Sequence, residues 1–198
     1  GSNVREFDQE ELKVDRMALE EGGAIAMGVM PEPLQWSTFA EDMMEVSEEG
    51  LLATQTAGYQ FSLTHTGEEL TEGRHYWEVE IVSDDPYLGV CRPDANLRAF
   101  HGMRAGTTAW LMGAYLGSLF GNGKQHDDYA GGFEQGDRMG VLLDLDDGSL
   151  LFFKNGAKHG PGYPAGSVTG AVALAAQMFN IEDDYGQAHA ARRLPDAA

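Results

Sequence analysis

The chain has 198 residues, which suits one domain of moderate size, and 42% of them are hydrophobic, enough for a sizeable core. Its 32 Asp and Glu residues against 13 Lys and Arg residues give a net charge of −19. Such a surface repels phosphate backbones and anionic lipid, so we expect neither nucleic acid nor membrane as a partner. The single cysteine, Cys91, cannot form an intramolecular disulfide, which favours a reducing compartment and predicts an intracellular protein, cytoplasmic or nuclear.

The first segment predicts an amphipathic helix. Gly1-Ser2 resembles the remnant of a removed expression tag. Asn3 and Glu6 have the spacing of a capping box, and apolar residues then recur at helical spacing as far as two consecutive glycines. We predict a helix from about Val4 to Glu21, whose apolar stripe either packs on the domain or binds a partner.

From residue 24 onward the pattern changes to short strands. Trp77, Val79 and Ile81 alternate with Glu78 and Glu80, so the three apolar side chains are predicted to share the buried face of one strand. Further apolar segments predict additional strands: 59–63, 87–91, 108–112, 115–120 and 171–179.

The clearest hairpin lies in the C-terminal third. The apolar runs 141–145 and 149–153 are separated by Asp146-Asp147-Gly148, and Asp-Gly between two such runs favours a tight turn because glycine accepts a positive φ. Lys154-Asn155-Gly156 predicts another turn directly after it.

Many short strands with frequent turns predict an all-β antiparallel sandwich with a short N-terminal amphipathic helix. We divide the chain into the tag remnant and helix (1–23), the sandwich domain (24–182), and a strand end with a polar tail (183–198).

Five segments in this order resemble a SPRY domain: 73–80 (GRHYWEVE), 88–91 (LGVC), 109–112 (AWLM), 140–144 (GVLLD) and 148–156 (GSLLFFKNG). The resemblance implies a bent, jelly-roll-like sandwich. It also implies a non-catalytic module that recognises a peptide segment of a partner protein, as an adaptor or scaffold of a larger complex.

The resemblance further implies that a partner binds loops at one end of the sandwich, above all the loop at 92–107. Residues 86–126 contain four cationic residues and one acidic residue, in an otherwise acidic chain. This local excess of positive charge favours a locally acidic partner segment bound by arginines. Alternatively, these arginines only neutralise acids of other loops.

Trp110 lies within a predicted strand and is expected in the core. The predicted partner-binding residues are Arg92, Pro93, Asp94, Arg98, Phe100, His101, Arg104 and Tyr115.

Two other functions remain open. A carbohydrate-binding sandwich shares the architecture alone. A glycoside hydrolase needs two carboxylates beside a cleft, and Glu78 with Glu80 is the candidate pair, although strand alternation gives the same arrangement on a solvated face. We predict no catalytic residue, cofactor or metal site, a buried Cys91, and a monomeric domain.

Overall fold

The computed structural model describes residues 32, 34–57, 61–82, 86–99, 108–121, 124–126, 130–179 and 190–193. The predicted N-terminal helix lies outside these residues. The described part of the chain forms thirteen strands and one 3-10 turn at Glu48–Gly50. The strands are β1 Met44–Ser47, β2 Leu52–Gln55, β3 Phe61–His65, β4 Arg74–Ile81, β5 Tyr87–Cys91, β6 Ala109–Gly113, β7 Leu119–Gly121, β8 Lys124–His126, β9 Arg138–Asp144, β10 Ser149–Lys154, β11 Ala157–Lys158, β12 Ala173–Phe179 and β13 Ala190–Arg193.

The strands form two antiparallel sheets, which confirms the predicted all-β sandwich. One sheet has seven strands in the order β1-β2-β13-β4-β9-β10-β11, and the other has six in the order β3-β12-β5-β6-β7-β8. No helix in the described part of the chain is long and apolar enough to cross a membrane.

The main core contains residues from both sheets. Trp77, Val79 and Ile81 of β4 are buried in it, as the alternation predicts, together with Leu88 of β5 and Trp110 of β6. Their burial removes large apolar areas from water, which is the dominant force that holds the sheets together. The core placement of Trp110 is confirmed, and Cys91 is also fully buried.

The predicted hairpin is confirmed. β9 and β10 pair from Asp144 opposite Ser149 to Met139 opposite Lys154. Gly148 has φ +78°, the conformation for which glycine is suited in this turn.

The strand predicted over 115–120 is wrong in its first half. Residues 114–116 form a turn after β6, and β7 begins only at Leu119. The Gly117 N–H donates to the Gly113 carbonyl at 2.9 Å, and Gly117 has φ +70°, so the backbone reverses where apolar composition alone indicated an extended strand.

β13 lies within the segment assigned from the sequence to a strand end and tail. It is nevertheless an interior strand, because it pairs with β2 on one side and with β4 on the other. The seven-stranded sheet therefore extends to Arg193.

Candidate functional site

Four loops meet at one end of the sandwich, which we call the loop end. They are the β3–β4 loop (66–73), the β5–β6 loop (described at 92–99 and 108), the β9–β10 turn (145–148) and the β11–β12 loop (159–172). Hydrogen bonds join them: the Gly73 N–H donates to Asp146 Oδ1 at 3.1 Å, and the Gly166 N–H donates to the Asp147 carbonyl at 2.8 Å.

Arg92 connects two of these loops. Its Nη1 donates to the carbonyls of Thr169 and Ala171, the second at 3.2 Å, and its Nη2 donates to Thr169 Oγ1 at 3.4 Å. The guanidinium also lies over the Trp110 ring, 5.0 Å from the centroid, where a cation is attracted to the aromatic face. Arg92 therefore holds the β5–β6 loop against the β11–β12 loop.

An open groove of about 400 Å³ lies between three of the loops. Arg92, Pro93 and Asp94 contribute from the β5–β6 loop, Glu69 from the β3–β4 loop, and Ala171 from the β11–β12 loop. The first three were predicted as binding residues, and they lie together. Sequence reasoning missed Glu69 and Ala171 because no motif in the chain links them to the loop at 92–107.

Arg98 lies outside this groove lining and pairs with Asp42. Its Nη1 donates to Asp42 Oδ2 at 2.9 Å, and its Nη2 donates to the other carboxylate oxygen. The hydrogen bonds from Arg98 hold the pKa of the Asp42 carboxyl below its usual value. Both side chains are more than half exposed, and exposed pairs of this kind contribute little to stability.

Tyr115 lies at the opposite end of the sandwich. In the antiparallel β5–β6 pair, Cys91 is opposite Ala109 at the loop end, whereas Tyr87 is opposite Gly113 at the other. That separation is roughly 13 Å along the strand. Tyr115 is 69% exposed in the turn that follows β6, so it cannot line the same groove as Arg92. Phe100, His101 and Arg104 lie outside the described residues.

His65 is the last residue of β3. It is buried, and its Nδ1 accepts a hydrogen bond from the Gly67 N–H at 3.0 Å. An accepting Nδ1 means that the ring is neutral and carries its proton on Nε2. Burial lowers the pKa of His65, against a smaller opposite effect of the Pro93 backbone.

We therefore expect His65 to destabilise the domain in acid. Below its ordinary pKa of 6.5 the unfolded state binds a proton that the folded state does not, so the free energy of unfolding should fall with decreasing pH by up to about 1.4 kcal/mol per pH unit. Urea denaturation between pH 7.5 and pH 5 measures this loss, and the wild type is compared with His65→Asn. Asn retains an acceptor for the Gly67 N–H but does not titrate. Identical pH dependence in both proteins would contradict the assignment.

The candidate hydrolase pair Glu78 and Glu80 takes part in ordinary sheet contacts. Glu78 is buried, and its Oε1 accepts a hydrogen bond from the Tyr76 hydroxyl at 3.1 Å. Glu80 lies opposite Arg138 of β9 and Arg192 of β13 in the strand register. Such cross-strand charge pairs stabilise a sheet.

The acidic β9–β10 turn also has a structural explanation. Asp144 Oδ1 accepts from the Asp146 N–H at 3.0 Å, and Asp147 Oδ1 accepts from the Ser149 N–H at 2.8 Å. Within the described ranges, no three His, Cys, Asp or Glu residues are arranged to hold a metal ion.

Comparisons with known proteins agree with this architecture. The sequence profile of the SPRY domain matches residues 74–179. The chain is 37% identical over 87 residues to the E3 ubiquitin-protein ligase TRIM11 of Bos taurus, covering 43% of this chain and 18% of that protein. It is 31% identical over 157 residues to tripartite motif-containing protein 5 of Papio anubis, covering 66% of this chain and 31% of that protein. The chain thus spans less than a third of either relative.

Two solved structures share the fold. The SPRY domain of human HERC1 superposes with a TM-score of 0.63 at 20% identity, over 79% of this chain and 96% of that one. The TRIM65 PSpry domain superposes with a TM-score of 0.67 at 14% identity, over 95% of this chain and 99% of that one. With the profile match over more than half of its length, the chain belongs to the SPRY domain family, whose members are protein-interaction modules.

Proposed function

We propose that this SPRY domain binds an extended segment of a partner protein in the groove at the loop end. It acts there without catalysis, as the recognition part of an adaptor or scaffold in a larger complex. The observation that carries the proposal is the groove itself, which is walled by residues of three loops that are far apart in sequence.

The Arg92 contacts support this proposal. Arg92 is tied to Thr169 and Ala171, so one wall of the groove is held in place before any partner arrives. A preformed wall reduces the loop-ordering cost of binding, which leaves more of the interaction free energy as affinity.

The hydrogen bonds of Arg92 and Arg98 give less support to the predicted acidic partner segment that arginines would bind. Arg92 already donates to acceptors of this chain, and Arg98 is paired with Asp42. Binding an acidic segment through either guanidinium would require breaking those hydrogen bonds. We therefore base the proposed site on the groove and not on the predicted arginine cluster.

We also propose that the domain is intracellular, in the cytoplasm or nucleus. Its one thiol is fully buried, and burial raises the pKa of Cys91 to about 12, so the residue is held as an unreactive thiol in the core. A core thiol without a disulfide partner is compatible with a reducing compartment.

The test is selection from a phage-displayed library of random linear peptides, followed by affinity measurement on synthetic copies of the retained sequences. Ala171→Trp inserts a large ring into the groove, whereas the Ala171 carbonyl that binds Arg92 remains. We expect this variant to raise the Kd at least tenfold. Tyr115→Ser, a change of an exposed residue at the opposite end, is the matched control and should bind as the wild type does.

Equal affinity of the wild type and Ala171→Trp would show that the groove is not the site. A parallel glycan array tests the carbohydrate-binding alternative, and groove-dependent glycan binding without peptide binding would overturn the proposal.

A further inference from the structure

We propose that the groove receives a lysine or arginine side chain of the partner segment, between Glu69 and Asp94. This inference rests on the proposed function and adds the chemistry of the partner. It reverses the charge that the sequence predicts for that partner.

The two carboxylates are available for such a contact. Glu69 and Asp94 line the groove and are exposed, and neither has a hydrogen-bond or ion-pair partner within the part of the chain that the structure describes. Arg92, the one cationic residue of the lining, instead donates to Thr169 and Ala171. The groove thus presents two negative side chains, whereas its positive side chain is already engaged by the protein.

The backbone holds these two residues in position. Glu69 precedes Leu70, whose N–H and carbonyl both pair with Val172, at 2.9 and 3.0 Å. Asp94 lies in a turn that the Ala95 N–H closes by donating to the Arg92 carbonyl at 3.1 Å. A cationic side chain between them would meet two carboxylates whose backbone needs little rearrangement.

The charge of the described part of the loop end has the same sign. The described parts of its four loops carry six carboxylates against two arginines, and one of those arginines, Arg98, is paired with Asp42. In a chain of net charge −19, the potential at this end attracts a basic segment and repels an acidic one. An acidic segment would be repelled both by the two carboxylates of the groove and by the negative potential around them.

The experiment compares Glu69→Gln/Asp94→Asn with the wild type in the same phage-display selection. We expect wild-type peptides to be enriched in Lys or Arg, and the double variant to lose that enrichment. For the best wild-type peptide, the double variant should raise the Kd about tenfold. Glu45→Gln/Glu134→Gln removes the same charge from two other exposed carboxylates and should leave the Kd within about twofold.

The dependence of peptide binding on ionic strength is a second measurement. It would not differ between the wild type and the double variant if Glu69 and Asp94 had only a structural role. Raising the ionic strength from about 0.01 to 0.15 M shortens the Debye length from about 30 to 8 Å, which should weaken wild-type binding clearly and binding by the double variant much less. Replacing the peptide's Lys or Arg by Glu should abolish wild-type binding, and Glu69→Lys should restore part of it.

The outcomes separate this inference from the proposed function. If Ala171→Trp abolishes binding but the double neutral variant binds as the wild type does, the groove is the site and its preference for a cation is wrong. Enrichment of acidic peptides would also overturn the inference. If no peptide is retained, or if Ala171→Trp has no effect, the groove itself is not the site and both proposals fail.

Discussion

Replacing Trp110 by alanine is expected to lower the free energy of unfolding by about 3–5 kcal/mol, the range for deleting a large buried aromatic side chain. Trp110 has no exposed surface and lies in the main core. The Arg92 guanidinium also lies over its ring, 5.0 Å from the centroid, so the alanine change removes one of the contacts that hold the residue connecting two loops. Peptide binding at the groove should weaken along with stability.

Urea denaturation followed by circular dichroism measures the effect on stability. Trp110→Phe is the matched control because it keeps an aromatic face beneath Arg92, and it should cost clearly less than the alanine change. A loss below about 1 kcal/mol for Trp110→Ala would contradict the role assigned to the ring.

Gly89→Ala is expected to destabilise the domain by about 3 kcal/mol, at the upper end of the usual cost of overpacking. A methyl group at Gly89 would lie 2.0 Å from the Trp110 carbonyl oxygen and 3.0 Å from Leu111 Cα. These are backbone atoms of the paired strand β6, which cannot move away without breaking the β5–β6 register. The substitution therefore destabilises the β5–β6 pair, the two strands that the loop at 92–108 connects.

The control for this change is Gly136→Ala. Gly136 has φ +91° but no atom within 4 Å of the added methyl group, so only the backbone conformation is penalised, by roughly 1–2 kcal/mol. Thermal and urea unfolding of both variants provide the comparison. Equal losses for the two variants would mean that the close approach to β6 is not what requires glycine at residue 89.

Local patterns in the sequence are sufficient for much of the fold. The alternation of Trp77, Val79 and Ile81 correctly predicts the buried face of β4, because a strand turns successive side chains to opposite faces. The Asp-Gly pair at 147–148 correctly predicts the β9–β10 turn. Both features depend on residues within a few positions of one another.

Features that depend on distant partners could not be predicted in this way. β13 contains two alanines and two arginines, without apolar alternation, and only its pairing with β2 and β4 makes it an interior strand. The Tyr115 segment looks apolar and extended, yet it turns at Gly117. Composition specifies neither which strands will lie alongside β13 nor that the chain will reverse at Gly117.

The candidate site could be predicted only in part, for the same reason. Counting charges from residue 86 to residue 126 combines Lys124 of β8 with loop arginines and omits the acids of the β3–β4 loop. In space, Arg98 meets Asp42, which is 56 positions earlier, and Arg92 meets Thr169, which is 77 positions later. A linear window therefore does not count the charges that meet at the loop end.

The interior position of β13 has a consequence for how the protein is made. During synthesis on the ribosome, the β1–β2 hairpin and β4 emerge long before the strand that joins them. Until residues 190–193 leave the exit tunnel, both neighbours of β13 expose unpaired backbone edges, which attract other extended chains. The seven-stranded sheet can therefore close only after translation has reached β13, so we expect a chain truncated before residue 190 to leave the edges of β2 and β4 exposed.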